Sequence, residues 1–239
     1  MNLARYTFSL LLVGLFTLPL WLSGLASQQG QSADEALLEE LLEVLRDSPW
    51  AQEKFILIPT GRLTRTPYYV GRKADRTEPF PEHLPAVYLV RWESAEPVTE
   101  AFARLAELGE NTVAEFLARP PADPLGLYTG YYVITVKAKE PPQSSNYDLF
   151  ARFKATELRE RAQLKTSRRR SVHAEQVLRT GVGATAAVHF YFPRQVEAAP
   201  LLTPREEWVE FSFTGRYSAT LKVKFKKQAL PLADGPAEP

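Results

Sequence analysis

The last third of this 239-residue chain alternates apolar and polar positions with a period of two. Val188, Phe190 and Phe192 are interleaved with His189 and Tyr191; Val209, Phe211 and Phe213 then run to Gly215, and Tyr217, Ala219, Leu221, Val223 and Phe225 return. Alternation puts every second side chain on one side of an extended backbone, so these runs suit strands and not helices. The two runs flanking Gly215 read as a hairpin. Lys222, Lys224 and Lys226 fill the polar positions of the return strand, a cationic outer stripe of the kind that discourages edge-to-edge aggregation. A Pro-rich tail over 228–239 reads as disordered.

Upstream the pattern is mixed. Ser32 precedes Glu35 by a capping-box spacing, and Leu37, Leu38, Leu41, Leu42 and Leu45 recur at helical intervals until Pro49, which predicts an acidic amphipathic helix over 34–47. Residues 50–85 read as short strands and loops punctuated by Pro59, Pro67, Pro79, Pro81 and Pro85. Ala86 to Trp92 reads as a strand, and Pro97 opens a helical region over 97–118, its first face carried by Val98, Ala101, Phe102, Leu105 and Leu108. Tyr128 to Lys139 alternates as a half-buried strand, the PPQSSN run at 141–146 marks a candidate subdomain boundary, and a helix is predicted over 147–165 with Phe150, Phe153 and Leu158 inward. The fold class is therefore α+β: three or four helices packed on a mostly antiparallel sheet, in one domain over 50–227, with the C-terminal third all-β and its last four strands consecutive.

Tyr6 to Ala26 is an uncharged apolar run behind Arg5, with a small-residue step at Gly24 and Ala26 before Ser27. That is the layout of a secretory signal peptide. A run of about 20 apolar residues also suffices to cross a bilayer, so residues 1–26 are either cleaved or kept as an N-terminal membrane anchor. Both place the domain outside the cytosol, in the periplasm or on the inner membrane, with Arg5 on the inner side. There is no cysteine. An exported chain without disulfides must be stabilised by burial alone, and 213 residues after Ala26 are enough for a core.

Arg5 is the only charge before Ser27, so without it the 29 bases become 28, equal to the 28 acids. The distribution is uneven, with six acids against Arg46 over 32–49 and eight bases against three acids over 147–171. The run Lys165 to Arg170, with Arg168, Arg169 and Arg170, is a candidate contact for anionic lipid, since clustered guanidiniums bind phosphates. No aromatic residues interleave with it, and no nucleic-acid partner is expected.

No catalytic, metal or cofactor site is expected. His83, His173 and His189 lack ligand spacing, Gly181 and Gly183 lack the rest of a dinucleotide loop, and no nucleophile motif is present. His189 reads as a hydrogen-bonded or exposed strand histidine. A hydrolase would have to draw on carboxylates such as Glu93, Glu96 and Asp123. Candidate interaction residues are the helical leucines Leu37, Leu41 and Leu45, the three arginines, and the aromatic residues Tyr131, Tyr132 and Trp208. They favour a protein partner at the membrane or in the periplasm, with a glycan or small-ligand module as the alternative.

Val90 to Ala95 with its following helix, Phe190 to Arg194, and Val209 to Phe211 continuing to Leu221 through Lys226 resemble an uncharacterised family of exported acidobacterial proteins. The likeness covers about residues 50 to 227 and implies an envelope location and one integrated domain, with no activity attached.

Overall fold

The computed structural model describes residues 35–59, 83–109, 130–140, 148–150, 153–181, 186–215 and 219–229. The apolar run, Tyr68, Tyr69, Asp123, Tyr128, the 141–146 boundary and the tail beyond 229 lie outside the described residues. The chain divides into two compact units, Met1–Leu42 and Glu43–Pro239.

Residues 35–46 form helix α1, whose Leu41, Leu42 and Leu45 are buried while Glu39, Glu40 and Glu43 are exposed. It ends where Ser48 Oγ donates to the Val44 carbonyl at 2.7 Å, just ahead of Pro49. Paired backbone bonds between Ser48 and Ala51 then turn the chain into strand β1, Ala51–Pro59. Nine extended residues replace the short pieces expected there; Ala51, Ile56 and Ile58 are buried.

Strand β2, His83–Trp92, pairs antiparallel with β1 along its length. Helix α2, Glu96–Glu107, follows, with Pro97 in its first turn and Val98, Ala101, Phe102 and Leu105 buried. Gly109 closes it at φ +76°, in the left-handed region that glycine enters without steric cost. Strand β3, Tyr131–Glu140, continues the sheet. Its residues from Tyr132 to Lys137 are buried on both sides. The strand is thus covered on two faces where alternation alone suggests one.

The predicted helix over 147–165 is cut short. Among the described residues of that span only Ala155–Arg161, helix α3, is helical, and Ala162–Thr166 is strand β4. Ala162, Leu164 and Thr166 are buried while Gln163 and Lys165 point away, so period-two burial overrides the helical spacing of the aromatics before it. Strands β5, Ser171–His173, β6, Gln176–Thr180, β7, Ala187–Pro193, β8, Gln195–Val196, β9, Ala199–Pro200, β10, Trp208–Thr214, and β11, Thr220–Lys226, complete the order.

Two antiparallel sheets result, one ordered β1-β2-β3-β7-β6 and one β11-β10-β4-β5, beside a small β8-β9 hairpin. The architecture is mostly antiparallel sheet with helices, broadly α+β. The last strands are not laid side by side in chain order, because β7 joins β3 in the first sheet while β10 joins β4 in the second.

The sheets meet through rings. Phe190 lies 5.4 Å from Phe211 and 5.8 Å from Phe213, Phe192 lies 6.1 Å from Phe211, and Trp92 lies 5.0 Å from Phe225. Phe150 adds a ring 4.7 Å from Phe213. Each fully buried phenylalanine is worth about 1.5–3 kcal/mol of transfer free energy, so this cluster contributes several kcal/mol of cohesion between the sheets. Tyr88 fixes the Phe150 segment, donating to Asp148 at 2.7 Å and accepting from the Leu149 amide at 2.9 Å. Gly215 lies close against this segment: a Cβ there would fall 2.5 Å from Leu149 Cδ1, which would have to shift, and 3.3 Å from the Leu149 carbonyl oxygen.

Candidate anion-binding face

The inward face of the four-stranded sheet is spent on the aromatic core: Leu164, Val209, Phe211, Phe213, Leu221, Val223 and Phe225 are all buried. The alternate residues must then face outward. On β11 these are Lys222, Lys224 and Lys226, all exposed. On β10 they are Trp208, Glu210 and Ser212, and on β4 Gln163 and Lys165. Register sets their neighbours. Glu210 stands opposite Lys224 on one side and Lys165 on the other, and Trp208 stands opposite Lys226. The Lys224 ammonium lies 4.2 Å above the Trp208 ring, a cation–π contact between neighbouring strands.

The β4–β5 turn carries the arginine run to the Trp208 end of this face, where the Ser167 amide bonds the Trp208 carbonyl at 3.0 Å. Arg169 sits at φ +67°, and Arg168 and Arg169 are exposed. The turn is held by Glu206, which is fully buried. One of its oxygens accepts from the Ser167 hydroxyl at 2.6 Å and from the Arg168 amide at 3.1 Å. Arg170 Nη2 lies 3.9 Å from the other oxygen, while Arg170 Nη1 bonds the Pro200 carbonyl at 2.6 Å. Four lysines, two outward arginines and one tryptophan thus share a surface that carries Glu210 as the facing carboxylate.

The outer side of the five-stranded sheet is different. Arg91 on β2, Thr135 on β3 and His189 on β7 stand in one row across three strands, all buried. Arg91 makes a two-pronged contact with Glu93 at 2.8 and 3.3 Å, both side chains 1% exposed, and its guanidinium lies 4.8 Å from the Phe102 ring of α2. The His189 ring lies between Thr135 Oγ1 at 2.8 Å and Thr180 Oγ1 at 2.7 Å. Hydroxyls both donate and accept, so this pair satisfies either neutral tautomer. Burial, aided by the nearby Arg91 charge, pushes the His189 pKa down to about 3. Lys137, the next outward residue on β3, is held below the usual lysine range by burial and by the Arg91 and Arg46 charges. Both His189 nitrogens are occupied and the ring is sealed, which fits a core constraint and leaves no nitrogen for a substrate.

The residues singled out from sequence divide accordingly. Leu41 and Leu45 are buried and Leu37 is half-buried, so the leucine stripe is not an exposed docking face. Tyr132 is 2% exposed under the Arg194 guanidinium, and half-buried Tyr131 donates to Glu175 at 2.9 Å, a bond that raises its pKa. Trp208 lies beside the turn that carries the three arginines, joined to it through the Ser167 amide. Glu93 is buried against Arg91, whereas Glu96 lies exposed in the first turn of α2. Sequence reading missed Glu206, which carries no motif, and treated Lys222, Lys224 and Lys226 as a solubility device. Among the described residues no group of three or more His, Asp or Glu is placed to hold a metal ion, and no helix is long and apolar enough to cross a membrane.

A shallow open depression of about 470 Å3 lies beyond β5, lined by Thr156, Arg159, Glu160, His173, Ala174 and Glu175. No protein-family model, curated protein or solved structure matches the chain.

Proposed function

We propose that this chain is an exported, non-enzymatic envelope protein that works by contact, as an accessory component of a membrane-associated assembly. In this reading three or four helices pack on a mostly antiparallel sheet, and the all-β final third supplies the contact surface. The observation that carries the reading is the register of Lys165, Glu210 and Lys224, which collects charges from distant parts of the chain on one open face. Such a face attracts anionic partners and speeds their encounter. The apolar run Tyr6 to Ala26 and the resemblance to exported acidobacterial proteins support the address.

The test is recovery of the full chain from membrane and soluble fractions, with intact masses and co-purifying proteins compared for the wild type and for Lys222→Gln/Lys224→Gln/Lys226→Gln. Enrichment with the membrane and a partner lost in the variant support the reading. A free monomer in the soluble cytosolic fraction removes it.

A glycan or small-ligand module is favoured by one observation, the depression at Thr156, Arg159 and His173. Heteronuclear chemical-shift changes confined to those residues on adding envelope oligosaccharides would move the assignment there.

A further inference from the structure

We infer that the occupant of the cationic face is the phosphate plane of an anionic phospholipid bilayer; this deepens the contact reading above and rests on it. The surface is open because it is the outer side of an antiparallel sheet whose other side is packed against rings. Lys222, Lys224 and Lys226 repeat along β11 about every 7 Å, and neighbouring strands add Lys165 about 10 Å across. An exposed, spaced array of ammonium groups matches an extended layer of phosphates better than a pocketed ligand, which would need a concave site.

Trp208 gives the array its second signature. It is half-buried among lysines and held by Lys224, with an apolar body and an N–H edge. Indoles prefer the headgroup level of a bilayer for that reason. Arg168 and Arg169, both exposed, add charge at the same end, with the turn that carries them held by buried Glu206.

The full chain is reconstituted into nanodiscs of phosphatidylcholine alone or of phosphatidylcholine mixed with phosphatidylglycerol, and lysine acetylation rates are read by mass spectrometry. Lys165, Lys222, Lys224 and Lys226 are expected to react about fivefold more slowly in the anionic discs, a difference abolished by high salt, with Lys54 and Lys139 on the other sheet unchanged. Arg168→Gln/Arg169→Gln is expected to weaken that protection. Equal rates in both discs overturn the lipid assignment. If the lysine variant nevertheless loses a co-purifying protein, the contact reading stands with a protein as occupant; if it loses none, both fall.

Discussion

The Ser167 hydroxyl donates to the buried Glu206 carboxylate at 2.6 Å, across 39 positions of sequence, and this bond sets the shape of the arginine-bearing turn. The same oxygen accepts the Arg168 amide, so removing the carboxylate strands two donors at once. Glu206→Ala is expected to cost about 2–4 kcal/mol in urea unfolding. Tryptic cleavage at Arg168 to Arg170 should also accelerate beyond the change in global stability, because the turn loosens first.

His189 makes stability depend on pH in a definite direction. An unfolded histidine titrates near 6.5, whereas in the fold its pKa is about 3. Between those values the unfolded chain takes up a proton that the folded chain refuses. Stability is therefore complete above about pH 6.5 and falls by about 1.4 kcal/mol per unit as the pH drops towards 3. Urea midpoints between about pH 4 and 6 should show this slope, and His189→Gln should flatten it while leaving the contribution of the carboxylates.

The Arg91–Glu93 pair is buried on both sides, so breaking it leaves a charge without solvent. Arg91→Met is expected to destabilise by about 3–5 kcal/mol, and Arg91→Met/Glu93→Gln should recover much of the loss. A double-mutant cycle by chemical denaturation reads the coupling.

Tyr88 sits in the core with Asp148 and the Leu149 amide on its hydroxyl, and burial together with the Asp148 charge raises its pKa well above the ordinary phenol range. Wild type and Tyr88→Phe should thus titrate the same number of tyrosines by ultraviolet absorbance until the fold opens. Tyr88→Phe should cost about 1–3 kcal/mol for the stranded partners.

Legibility from sequence followed the range of the interactions. Alternation located β10 and β11, and Pro97 with the spacing of Val98, Ala101, Phe102 and Leu105 located the start of α2, since period and first-turn preference are local properties. The helix over 147–165 failed because Phe150 and Phe153 stand three apart, as on a helix face, yet their rings are placed by Phe190 and Phe213, more than 35 positions away. The face itself was half visible. The lysine stripe and the arginine run are plain in the sequence, but only the pairing of β4 and β11 on either side of β10 puts Lys165 beside Glu210 and Lys224. His189 likewise takes one partner 54 residues away and another nine away, and no spacing rule announces that pair.

Whether the outer side of β4, β10 and β11 is the working surface can be read by acetylating lysines in intact cell envelopes and again in the purified protein. Protection of Lys165, Lys222, Lys224 and Lys226 in the envelope, with Lys54 reacting equally in both, is the expected result. Equal reactivity of all five lysines in the two settings would contradict it.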